Sequence, residues 1–152
     1  MDKIDRRIAQ LLQFDGRMST AAIADHVGLA LSTTADRVKR LRSAGAIRGW
    51  HAVLDPAAFN ANLCAFLFVD MRHDGEADAV AMLSSCPEVQ EIHHVSGPHS
   101  YLLKLRLADM AAMQAFLADV VKPLAAVVTT ETVFSMQAVK ETREIPVADD
   151  AP

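Results

Sequence analysis

The chain has 152 residues, 51% apolar and 22% charged, which excludes wholesale disorder and leaves room for one large domain or two small ones. The net charge of −4 is unevenly spread: residues 1–50 carry nine Lys and Arg against five Asp and Glu, and residues 51–152 carry six against fourteen. A basic head on an acidic body predicts a polyanion-binding front and a second part with another task.

Ile4, Ile8, Leu11 and Leu12 recur at helical spacing, with Asp5, Arg6, Arg7 and Gln10 on the opposite face. Phe14-Asp15-Gly16 ends that helix. Ser19 caps a second helix over Thr20–His26, which Gly28 stops. A third helix starts at Leu31 or Ser32 and runs to Ser43, with Leu31, Thr34, Ala35, Val38 and Leu41 on its inner stripe. Gly45 ends it, and Ala46–Leu54 reads as a small hairpin turning at Gly49. Residues 55–62 read as a linker opened by Asp55-Pro56.

Strands follow at Leu63–Met71, Val89–Ser96, Tyr101–Leu107 and Val127–Val139. Helices are predicted at Glu76–Ser85 and from the Asp109 cap to Pro123. The order β-α-β-β-α-β is ferredoxin-like, so the fold class is α+β: a winged helix-turn-helix over residues 1–54 and a βαββαβ domain over 63–143. The first strand is apolar on both faces, so its uncovered sheet face needs a second copy of the chain. Residues 144–152, acidic and proline-bearing, are expected to fray.

Three short helices with a glycine turn and a hairpin make a DNA-binding unit whose third helix enters the major groove. Ser32 and Thr33 are placed to meet phosphates or base edges, with Asp36 on the same outer face. Arg37 and Arg40 can fork onto guanine or phosphate, while Lys39, Arg42 and Arg48 add backbone contacts. Arg37 lies at the edge of the buried stripe, so pairing with Asp5 or Asp36 is its alternative role.

The ordered runs Ser19-Thr20-Ala21-Ala22-Ile23-Ala24-Asp25-His26-Val27-Gly28-Leu29, Arg37-Val38-Lys39-Arg40-Leu41 and Gly45-Ala46-Ile47-Arg48-Gly49-Trp50 resemble the Lrp/AsnC, or feast/famine, regulators. The resemblance extends over nearly the whole chain. It implies a transcription regulator whose C-terminal domain assembles copies, as a dimer, tetramer or octamer, and binds a small effector such as an amino acid. It also implies an effector turn at Val95-Ser96-Gly97-Pro98-His99-Ser100-Tyr101, with Gly97, Pro98, His99, Ser100 and Tyr101 as its residues. Two positions depart from the family. Ala30 stands where Ser usually caps the recognition helix, which leaves Ser32 as the alternative cap and a later start. Ser100 stands where the family has the Asp that meets an ammonium group, so the effector differs, another acid substitutes, or there is none.

His93 and His94 alternate across a strand, and with His99 they show no metal-ligand spacing, so no metal or other cofactor is expected. Cys64 and Cys86 read as buried thiols of a reducing compartment. The start lacks the apolar stretch of a signal peptide, and no run approaches the ~18 apolar residues of a membrane span, so a cytoplasmic protein without membrane contact is expected. No phosphate loop, nucleophile elbow or carboxylate pair is visible, and no enzyme is expected. Two alternatives remain: a haem-precursor decarboxylase on the same architecture, using Arg72 or Arg106, and a ligand-free architectural DNA binder.

Overall fold

Asp2 starts the first helix by accepting the Asp5 N–H at 2.8 Å, and α1 runs Lys3–Phe14. Ser19 accepts the Ala22 N–H at 3.1 Å, and α2 runs Thr20–Val27 to a left-handed Gly28. The computed structural model describes residues 1–148, which form two units: Met1–Val53 with the segment from Glu141 onward, and Leu54–Lys140.

In the first unit, α1, α2 and α3 (Leu31–Ser43) enclose Ile8, Leu11, Leu12, Ile23 and Leu41. The inner stripe of α3 is narrower than its periodicity predicts. Thr34 and Leu41 are buried and Val38 is half-buried, but Leu31 and Ala35 face solvent. Thr34 turns its hydroxyl to the Ala30 carbonyl at 3.1 Å, which lets a polar side chain sit fully buried. The helix starts at Leu31 with Ala30 as its N-cap and no side-chain cap, so the expectation that Ser32 caps it is corrected.

The expected hairpin over Ala46–Leu54 is also corrected. No strand forms there, and Val53 is fully exposed. A lone two-stranded ribbon with nothing beneath it is marginal, and Trp50 packs back on the helices instead of alternating along a strand. The tail divides. Gln13 exchanges two bonds with the Ile145 backbone at 2.8 and 3.1 Å, and Gln10 donates to the Val147 carbonyl at 3.0 Å. These bonds lay the tail along α1 in place of the expected fraying; residues 149–152 of that expectation lie outside the described residues.

In the second unit, Asp55 caps a short 3-10 turn at Pro56–Phe59 inside the expected linker. The elements β1 (Leu63–Met71), α4 (Glu76–Ser85), β2 (Val89–His94), β3 (Tyr101–Leu107), α5 (Met110–Ala115) and β4 (Val127–Phe134) follow. α5 passes into a π-turn over Phe116–Val121. The sheet order is β2-β3-β1-β4, antiparallel throughout. Ala65, Leu67 and Val69 of β1 and Leu103, Leu105 and Leu107 of β3 meet Leu83, Met113 and Phe116 of the helical layer in one core. The alternate residues Phe66, Phe68 and Leu102 stay half-exposed on the other face. β2 and β4 are shorter than expected, ending at His94 and Phe134.

Candidate nucleic-acid interface and effector turn

The third helix is tied to the first through one carboxylate. Asp5, expected on the outer face of α1, is 3% exposed. Arg37 donates to it at 2.8 Å and to Asp2 at 2.6 Å, and Arg40 donates to both Asp5 oxygens at 3.0 and 2.9 Å. Burial pushes the Asp5 carboxyl up, but the two guanidinium groups outweigh it and hold it below its ordinary value. Arg37 therefore takes the alternative role foreseen for it, with Asp5 and Asp2 rather than Asp36 as partners. Arg40 is partly committed too, although its side chain is 61% exposed.

The remaining outer face of α3 is presented to solvent. Ser32, Thr33, Asp36, Lys39 and Arg42 are all exposed, in register along three turns. Beyond the helix, Gly45 adopts φ +72°, a left-handed conformation that only glycine takes without strain. Ile47 then folds back onto the core, and Arg48 returns beside Lys39 and Arg42 around a cavity of about 330 Å³. The structure thus gathers three of the expected phosphate contacts and sets Arg37 apart from them.

The turn expected to hold an effector joins β2 to β3. Val95 donates its N–H to the Ser100 carbonyl at 2.9 Å, and Gly97 sits at φ +146°. Asp70, the last residue of β1 on the open sheet face, accepts the Ser100 N–H at 2.9 Å. It also meets His99 Nδ1 at 3.1 Å and accepts the Thr129 hydroxyl at 2.6 Å. These donors, Thr129 first, lower its carboxyl to about 2. Glu131 of β4 lies 3.4 Å from His99 Nε2, and Phe68 packs 5.0 Å from the same ring. Asp70, chiefly, and then Glu131 raise the His99 imidazole above its ordinary value. Tyr101 does not join this cluster. Its hydroxyl donates to Glu76 at 2.7 Å on the helix-covered face, and its ring stacks on His94.

Asp70, Thr129 and Glu131 were not expected at this corner. The signal was present but weak: Asp70 is the only charged residue in an otherwise apolar strand. The two carboxylates meet opposite edges of the His99 ring, so they do not converge on one ion. Among the described residues no group of three acidic, histidine or cysteine side chains is arranged to hold a metal. His93 meets Glu91 at 3.1 Å, and both cysteines are free thiols. No helix among the described residues is long and apolar enough to cross a membrane.

Residues 1–42 match the AsnC-type helix-turn-helix domain, and residues 64–145 match the Lrp/AsnC ligand binding domain. The chain is 33% identical over 147 residues to the HTH-type transcriptional regulator FL11 of Pyrococcus furiosus, covering 97% of both. It is 35% identical to the leucine-responsive regulatory protein of Escherichia coli, covering 95% of this chain and 90% of that one. A transcriptional regulator of Neisseria meningitidis, solved in complex with L-methionine, superposes with a TM-score of 0.90 at 32% identity over 96% of each chain. The feast or famine regulatory protein of M. tuberculosis, also complexed with L-methionine, gives 0.87 at 30% identity, over 95% of this chain and 97% of that one.

Proposed function

The chain belongs to the Lrp/AsnC family of transcriptional regulators, and on that premise we propose that it reads duplex DNA with α3 and responds to a small amino acid held beside the β2–β3 turn. The observation that carries the DNA reading is the outer face of α3. Ser32, Thr33, Asp36, Lys39 and Arg42 stand exposed on it, within a helix-turn-helix whose core is otherwise closed. Ser32, Thr33 and Asp36 meet base edges or phosphate near the start of the helix. Lys39, Arg42 and Arg48 bind backbone phosphates, and Arg40 adds charge while anchored to Asp5.

A zwitterion needs donors for its carboxylate and an acid for its ammonium. The backbone around Gly97, Pro98 and His99 supplies the first. Both Asp70 oxygens are already occupied, so Glu131, 63% exposed, is the acid that takes the role the family gives to the residue at Ser100. A second copy of the chain covers Phe66, Phe68 and Leu102 on the open sheet face, making the regulator at least a dimer. Effector binding shifts the population among assemblies and so changes the spacing of the DNA-binding heads. The protein is cytoplasmic, where its DNA lies, and non-catalytic.

Fluorescence anisotropy with a duplex from upstream of its own gene tests the first part; no binding at low salt overturns it. A thermal-shift screen of the twenty amino acids tests the second, and a stabiliser is expected. A blank screen with DNA binding intact overturns the sensor reading and leaves an architectural DNA binder.

A further inference from the structure

The open depression at the end of α3 is lined by Lys39, Arg42, Ser43, Ile47 and Arg48: three cations, a hydroxyl and one apolar side chain. A helix C-terminus ordinarily repels an anion, because its last carbonyls point outward unpaired. Here three of the last four, those of Arg40, Leu41 and Arg42, are capped. Ser43 Oγ donates to the Lys39 carbonyl at 3.0 Å, and Ala44 N–H to that of Arg40 at 2.9 Å. Ile47 N–H reaches the Leu41 carbonyl at 3.2 Å and Gly45 N–H the Arg42 carbonyl at 2.9 Å. The carbonyls of Arg40, Leu41 and Arg42 are therefore occupied within the chain rather than turned to the cations.

One of the three is also held in place. The Arg42 guanidinium carbon lies 4.9 Å from the centre of the Trp50 ring, a cation–π contact. Trp50 is wedged in turn against the turn between α1 and α2: a methyl group on Gly16 would meet Trp50 Cδ1 at 2.9 Å. Trp50 is 39% exposed, so it lies at the surface, against Arg42, rather than in the core. Stacking occupies one face of a guanidinium and leaves its edge of N–H donors free. A fixed planar donor edge beside two flexible cations suits a single phosphodiester group. The opposite end of α3 is the one that reaches bases, so this end meets the strand's backbone.

We propose that Lys39, Arg42 and Arg48 form a seat for one DNA backbone phosphate, and that Trp50 is a positioning residue that presents the Arg42 guanidinium to it. The proposal rests on the DNA-binding reading above. It assigns Trp50 a part in binding although no contact of its own with DNA is required.

The test uses the full chain and a mixed-sequence duplex, with anisotropy read at several salt concentrations. Arg42→Ala weakens binding several-fold on every duplex and makes the log K against log salt slope shallower by about one. Trp50→Ala gives a smaller loss in the same direction, and Trp50→Phe keeps most of the affinity because a ring face remains. The double variant Arg42→Ala/Trp50→Ala binds no worse than Arg42→Ala alone. Gly16→Ala, which displaces the indole without removing it, behaves like Trp50→Ala and shifts the emission of this sole tryptophan. Losses that multiply in the double variant overturn the positioning role of Trp50; an unchanged salt slope in Arg42→Ala overturns the seat and the phosphate contact of Arg42, and leaves the reading of DNA by α3 standing. A wild-type chain that binds no duplex overturns both.

Discussion

Arg40 donates from one nitrogen, Nη2, to both carboxylate oxygens of Asp5, at 3.0 and 2.9 Å. A residue of the recognition helix is thereby anchored to a nearly buried acid on α1. Burying Asp5 costs free energy that its arginine partners, and its place in the first turn of α1, offset. Together with Leu41 and Thr34, which are buried on the inner side, the arrangement holds α3 with Ser32, Thr33, Asp36 and Lys39 outward.

Asp5→Ala is expected to destabilise the first unit by about 1–3 kcal/mol, below the full cost of a broken buried pair because the freed Arg40 is well solvated. Urea denaturation measures this. The Asp5 carboxyl is held below its ordinary 3.8, so its contribution is present above about pH 4 and is lost as pH falls through the depressed value. The difference between wild type and Asp5→Ala should therefore shrink toward acid. A constant difference from pH 7 to pH 3 would count against the clasp.

Arg37 and Lys39 sit two positions apart on one helix but in different surroundings, Arg37 paired with Asp2 and Asp5 and Lys39 exposed. Arg37→Ala should lower stability, since it breaks the bonds to Asp2 and Asp5, and leave the salt slope of DNA binding nearly unchanged. Lys39→Ala should leave the urea midpoint unchanged and make the slope shallower by about one. Reversed results would exchange the two roles.

The elements were legible because their signals are local. Ser19, Gly28, Gly45 and Asp109 mark helix ends that the structure reproduces at those residues or within one of them. The succession of strands and helices along the chain followed from alternation and turn residues. What escaped depends on residues distant in the chain. Asp5 lies on the polar side of its helix by periodicity, and only the reach of Arg37 and Arg40, more than thirty positions away, covers it. Asp70 and Glu131 reach the β2–β3 turn through strand register, as Asp70 pairs with Thr129 and Phe68 with Glu131. The hairpin failed for the converse reason: alternation over Ala46–Leu54 was a local signal with no neighbouring strand to complete it.

Ala30 holds the N-cap conformation, φ −63° and ψ 148°, without a side chain to use it. Ala30→Ser should supply an acceptor for the first free N–H groups of α3 and stabilise the unit by about 1 kcal/mol. The urea midpoint would rise. An unchanged midpoint would mean that those N–H groups already have a partner in solution.

His99 provides a pH dependence of opposite sign to Asp5. Its folded value is raised, so the ion pairing it contributes is complete below about pH 6.5 and is lost as pH rises through the raised value. Asp70, lowered to about 2, stays ionised throughout that range. The melting temperature of wild type should exceed that of His99→Gln by more at pH 6 than at pH 8.5. An NMR titration of the imidazole should give a midpoint above 6.5. A midpoint below it would remove the pairing from solution.

Ser100 stands beside two carboxylates that already share His99, so restoring an acid there is not a simple repair. Ser100→Asp brings a third negative charge to a corner where two carboxylates already share one imidazole. Like charges at that separation repel. The melting temperature should fall, and fall further between pH 6 and pH 8.5 as His99 loses its proton. Ligand binding separates this cost from the effector role. If Glu131 receives the ammonium group, Glu131→Gln abolishes the thermal shift given by the stabilising amino acid. Ser100→Asp in the Glu131→Gln background then restores it, because the removed charge is replaced within the same corner and the repulsion is relieved. A full ligand shift in Glu131→Gln would sink the assignment and return the ammonium to another acid.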